Sequence, residues 1–157
     1  MSLDGVATRV GPEAVVVTAE RELIVLSSAV VVATVGLSNR SAAGLSARAA
    51  WLPATINTIA VVDADPQPSA LVNLVATLTE VKTDVLRAAG VRCDDGRAAT
   101  GTSSDAIVVA ATGRGTRCRY GGPVTDVGWA AASAARGALE AAVRRWLAEH
   151  APGGPRA

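Results

Sequence analysis

From residue 13 to 37 the chain alternates short β-branched runs with single polar breaks: EAVVVT (13–18), ELIVLSS (22–28) and AVVVATVGL (29–37). The polar Ala19-Glu20-Arg21 between the first two predicts a hairpin, and the third continues as a further strand. A small-residue loop, SNRSAAGLSARAA, separates these from ATINTIAVVDA (54–64), a strand ending at Asp63. The period then changes. In ALVNLVATLTEVKTDVL (70–86), a step of roughly 100° per residue gathers Leu71, Leu74, Val75, Leu78, Val81, Val85 and Leu86 on one arc. Asn73, Thr77, Glu80 and Asp84 form a second stripe, which a solvated outer face explains. Asp65, Pro66, Pro68 and Ser69 are turn and helix-start residues and Gly90 a stop, so the helix is bracketed at about 69–89.

RAATGTSSDAIVVAAT (97–112) reads as a polar loop feeding a buried strand, and GRGTRCRYGG (113–122) contains tight turns. Pro123 and Thr125-Asp126 open a last helix running to about His150, with an Ala- and Gly-rich inner arc above Leu139, Val143 and Trp146. Several strands precede the first helix. That order predicts an α+β fold of two layers, a mixed and mostly antiparallel sheet carrying two long helices, with a three-layer α/β arrangement as the alternative. One domain is expected at 13–150, between a flexible N-terminus (1–12) and a flexible tail (151–157).

Composition narrows the partners. Half of the 157 residues are hydrophobic, 18% are charged, and the net charge is +1, which provides no patch for nucleic acid or an anionic membrane. There is no Phe, and Tyr120, Trp51, Trp129 and Trp146 are too few for base-stacking platforms. The apolar run from Leu23 to Leu37 falls short of the roughly 20 residues of a membrane span and is broken by Ser27, Ser28 and Thr34. With no signal-like stretch in MSLDGVATR, a cytoplasmic protein with two free thiols, Cys93 and Cys118, is expected. A single histidine and two separated cysteines leave no metal-ligand set.

Candidate chemistry is sparse. Walker, Rossmann, HExxH and GxSxG patterns are absent, and His150 at a helix end reads as a cap, which argues against a Ser-His-Asp mechanism. What remains is a hydroxyl and carboxylate cluster, Thr100, Thr102, Ser103, Ser104 and Asp105, with Asn39 and Asn57 from other loops. Polar loops need such residues in any case. Lys82 is the anomaly, because it projects into the apolar arc of the first helix, either snorkelling out along it or serving a pocket.

VLSSA (25–29), TVGLSN (34–39), TIN (55–57), VVDADPQPSALVNLVATLTEVKTDVL (61–86), ATGTSSDAIVVA (99–110) and YGGPVTDVG (120–128) together resemble the adenosylcobinamide amidohydrolase family. The resemblance covers most of the chain in the same order, although VLSSA runs almost at once into TVGLSN, as in a shortened member, and Ala54 stands where a Gly commonly precedes TIN. It implies a cytoplasmic enzyme of corrinoid salvage. The reaction would be hydrolysis of the linear amide joining the corrin's propionyl side chain to aminopropanol, giving adenosylcobyric acid. The corrinoid would be substrate, with no separate cofactor, and a homo-oligomer is compatible.

On that reading, burial disfavours the charged form of Lys82, so a neutral amine becomes available as a base to activate Thr83, a loop hydroxyl or a water. Glu80 is the competing base. The loop Thr100–Asp105 is expected beside Gly121 and Gly122, where the helix start offers free N–H groups to an oxyanion. Two other readings are a non-catalytic corrinoid-binding or regulatory relative that lacks part of the active-site wall, and a small oligomeric structural protein.

Overall fold

The computed structural model describes residues 8–10, 14–20, 28–48 and 54–151. Strands β1 (Thr8–Val10), β2 (Ala14–Glu20), β3 (Ser28–Val35), β5 (Ile56–Val62) and β8 (Ala106–Ala111) form one sheet in the order β1-β2-β3-β5-β8. All neighbours are antiparallel except β5 and β8, which run parallel. Two short pairs flank the sheet: β4 (Arg40–Ser41) with β7 (Gly101–Thr102), and β6 (Asp65–Pro66) with β9 (Arg117–Cys118). Helices α1 (Pro68–Ala88) and α2 (Asp126–Glu149) complete the two-layer α+β fold.

The hairpin expected to turn at Ala19-Glu20-Arg21 does not form, because Ala19 and Glu20 continue β2 and pair with Ala29 and Ser28. β2 pairs directly with β3, Glu20 facing Ser28, and 22–27 of the ELIVLSS run lie outside the described residues, as do 152–157 of the expected tail. β1 falls inside the stretch read as a flexible N-terminus.

Both helices lie on one face of the sheet. Val31, Ala33, Ile56, Thr58, Ala60 and Val62 point inward at alternate positions, against Leu74, Leu78, Val85 and Leu86 of α1 and the alanines 130, 131, 134, 135, 138 and 142 of α2. The small side chains let α2 approach the sheet closely. α1 begins with Pro68 in the first turn and ends where Gly90, at φ 70°, donates to the Arg87 carbonyl while Val91 donates to that of Leu86. α2 starts at Thr125, whose hydroxyl oxygen accepts from the Gly128 N–H.

The polar stripe of α1 is no outer face. Thr77 is buried and donates to the Gly121 carbonyl at 3.0 Å, and Asp84 meets Arg136 of α2 at 2.9 Å, so these positions form the seam between the helices. Arg136, then Arg87, hold the Asp84 carboxyl below its ordinary range. Val75, counted on the apolar arc, is 38% exposed. The strand expected to be buried, β8, is instead the sheet's edge, with Val108 half exposed.

Ala54 sits at φ 120°, in a region that side chains rarely adopt, immediately before β5. Such a backbone suits glycine, the residue the resemblance leads one to expect before TIN. Ala54→Gly is expected to stabilise the fold by about 1 kcal/mol, raising the melting temperature roughly 2–4 °C, since relieved strain exceeds the added chain entropy. A lower melting temperature in calorimetry would contradict it.

Candidate active site

At the end of the sheet where β5 and β8 begin, Asp105 turns back from the start of β8 and gathers donors. Its Oδ1 accepts from the Ile56 N–H at 3.1 Å and from the Thr102 N–H and hydroxyl; its Oδ2 accepts from the Thr102 N–H at 3.1 Å and from the Lys82 ammonium. Lys82 is 8% exposed, so its amine does not snorkel. Although its stem lies in the apolar arc, the amine faces the Asp105 carboxylate and donates to it. Gly101 makes the pair possible: a Cβ there would lie 2.8 Å from Lys82 Nζ and overlap the Asp105 carboxylate.

The surrounding loops are tied to this centre. β4 and β7 pair Arg40 with Thr102 and Ser41 with Gly101, and the Ala43 N–H donates to Thr100 Oγ1 at 2.9 Å. Thr83 donates to the Thr100 carbonyl at 3.2 Å. Ser104 likewise donates to the Ala54 carbonyl. Ser103 differs, because it is exposed and its Oγ accepts from Asn39 Nδ2 at 2.7 Å. Asn57 lies one step further along β5 on the face away from the helices, donating to Thr34 Oγ1 at 3.3 Å.

Lys82, Thr83, Asn39, Thr100, Thr102, Ser103, Ser104 and Asp105 are thus brought together, with Asn57 adjoining. Three predicted residues are elsewhere. Glu80 opens into a groove of about 400 Å³ between the helices, beside Trp129, Ser133 and Arg136. Gly121 and Gly122 follow β9 at the opposite end of the sheet, where Gly121 packs on Ala70, Leu74 and Thr77 in the first half of α1. The expected mouth between loop 100–105 and these glycines does not form, because parallel β8 carries the chain from one end of the sheet to the other. Gly121 serves close packing on α1 instead.

Sequence reasoning missed a cleft of about 260 Å³ beside this centre, where Thr34, Gly36, Thr55 and Asn57 meet Arg145, Trp146, Glu149 and His150. His150 stacks on Trp146 at 4.0 Å and its Nδ1 lies 2.8 Å from the Trp146 carbonyl, so it does close the helix as expected while also lining this cleft. No local signal joins these residues, since the end of α2 reaches the start of β5 only through tertiary packing. Cys93 and Cys118 are free thiols; burial, with Asp126 and Asp65 nearby, pushes the Cys118 thiol up. Among the described residues no three His, Cys, Asp or Glu side chains converge as a metal site, and no helix is long and apolar enough to cross a membrane.

The model of the adenosylcobinamide amidohydrolase family matches residues 5–151. An adenosylcobinamide amidohydrolase of Halobacterium salinarum is 36% identical over 121 residues, covering 72% of this chain and 49% of that protein. The chain therefore spans about half the length of this curated relative. No solved structure matches it. Because the family match runs through both helices and all nine described strands, including the Lys82 and Asp105 segments, the chain belongs to the adenosylcobinamide amidohydrolase family.

Proposed function

We propose that this chain hydrolyses the amide between aminopropanol and the corrin propionyl side chain of adenosylcobinamide, releasing adenosylcobyric acid for corrinoid salvage in the cytoplasm. The buried Lys82–Asp105 pair behind a loop whose Ser103 hydroxyl is exposed carries this reading. Water, or the Ser103 hydroxyl followed by water, adds to the amide carbonyl carbon. The C–N bond then breaks, and the aminopropanol nitrogen leaves with a proton supplied by Lys82. That proton is restored from the attacking water, so the products are a carboxylate and an ammonium. Asp105 is too fully engaged by donors to act as the base itself; it positions and compensates the ammonium. Asn39, Thr100, Thr102, Ser103, Ser104 and Asn57 shape the mouth that receives the amide.

The test is incubation with adenosylcobinamide and quantification of free aminopropanol, with release expected. Binding without release would favour a non-catalytic corrinoid-binding role, a reading supported by the Thr102 and Ser104 hydroxyls already spent on internal hydrogen bonds. Turnover is expected to survive exhaustive chelation, because the site's groups are an amine, a carboxylate and hydroxyls rather than a zinc-type ligand set. Loss in chelator with recovery on added zinc or manganese would overturn this.

A further inference from the structure

The helices cover one face of the sheet, and on the other the described side chains of β3, β5 and β8 are mostly apolar. Val30, Ile59, Val61 and Val108 are 39%, 45%, 41% and 52% exposed. Strand register sets them in rows: Val30 beside Val61 and Ala110, Val32 beside Ile59 and Val108, Thr34 beside Asn57 and Ala106. None of these nine outward positions is charged. Soluble proteins seldom expose so continuous an apolar patch without using it.

Resting on the corrinoid reading above, we propose that this open face is the platform on which the corrin macrocycle lies. Its aminopropanol-bearing arm crosses Thr34 and Asn57 to reach the loop Ser103–Asp105. Within the five-stranded sheet, β3, β5 and β8 at about 4.8 Å spacing and three alternate positions at about 6.6 Å steps give a floor of roughly 10 by 13 Å, room enough for a corrin ring. The polarity runs the right way. The two apolar rows meet the ring, and the Thr34–Asn57 row lies at its edge, where the amide groups around a corrin can exchange hydrogen bonds. That row adjoins the catalytic cluster directly: Asn57 pairs in register with Ala106, next to Asp105, whose carboxylate holds the Ile56 N–H. A second copy of the chain seated here would instead bury Thr34 and Asn57 against an apolar sheet and close the mouth of the loop.

The experiment measures adenosylcobinamide retention by ultrafiltration, followed through its visible absorbance, for wild type, Ile59→Asp, and the milder pair Ile59→Thr with Val108→Thr. Aminopropanol release and oligomeric state by light scattering are recorded on the same samples. Ile59→Asp is expected to weaken binding at least about tenfold and the threonine pair about threefold, with unchanged oligomeric state. The threonine pair keeps β-branched side chains, so it reports even where Ile59→Asp fails to fold. Affinity within twofold of wild type in the folded variants overturns the platform, as does a wild-type protein that retains no corrinoid. A wild-type dimer split by Ile59→Asp with affinity unchanged would give the face to a second copy. Binding lost in the variants while wild type binds but releases no aminopropanol would refute the amidohydrolase reading and leave the platform standing.

Discussion

Lys82→Met is expected to lower aminopropanol release from adenosylcobinamide by about a hundred- to ten-thousand-fold, the range a positioned proton donor supplies. Met keeps the length and helix propensity of the lysine stem, so α1 should persist. The change also destabilises the site, because Met leaves Asp105 without its cation. Removing one partner of a fully buried pair costs about 3–5 kcal/mol, but Asp105 keeps its Thr102 and Ile56 donors, and both side chains retain about a tenth of their exposure. A loss of about 2–3 kcal/mol, or roughly 5–10 °C in melting temperature, is therefore expected. Adding Asp105→Asn removes the orphaned charge and should recover much of that stability while turnover stays lost. Recovery of both together would make the pair structural. Wild-type turnover in the single variant would exclude Lys82 from the proton transfer.

The sequence carried the local elements well. A 3.6-residue period with Pro68 ahead and Gly90 behind defines α1 to within a residue at each end, and Thr125 with Asp126 marks the start of α2. These signals are local, so they survive without tertiary information. Partnerships between distant segments were harder to read. Lys82 and Asp105 were both singled out, yet their pairing depends on Gly101 leaving room between a helix and a loop, which no periodicity reports. Thr77 and Asp84 read as solvated because a lone amphipathic helix offers no sign of a second helix against its polar side. The apolar run of β8 fits a strand buried on both faces as well as one at an edge, since continuous hydrophobicity does not say which face is covered. The same ambiguity concealed the open sheet face, where an apolar surface accompanies a ligand-sized area rather than a core.

The glycine pair at the start of α2 gives the largest stability effect outside the ion pair. Gly121→Ala is expected to destabilise the protein by about 3 kcal/mol, at the upper end of overpacking costs, because the new Cβ would overlap the Ala70 carbonyl oxygen and lie 2.6 Å from Leu74 Cγ. The Leu74 side chain is fully buried and the Ala70 carbonyl belongs to the backbone of α1, so neither can yield without moving the helix. The Thr77 hydrogen bond to the Gly121 carbonyl would be strained by the same displacement. Gly122→Ala is the matched control. Nothing lies within 4 Å of its Cβ position, and a change below about 0.5 kcal/mol is expected there. Chemical denaturation of both variants gives the comparison directly. Had these glycines held a ligand, both substitutions would depress corrinoid binding while leaving stability nearly equal. Packing instead predicts a stability loss confined to Gly121→Ala, with corrinoid affinity of the folded Gly122→Ala protein unchanged, because the glycines stand at the end of the sheet opposite Lys82 and Asp105.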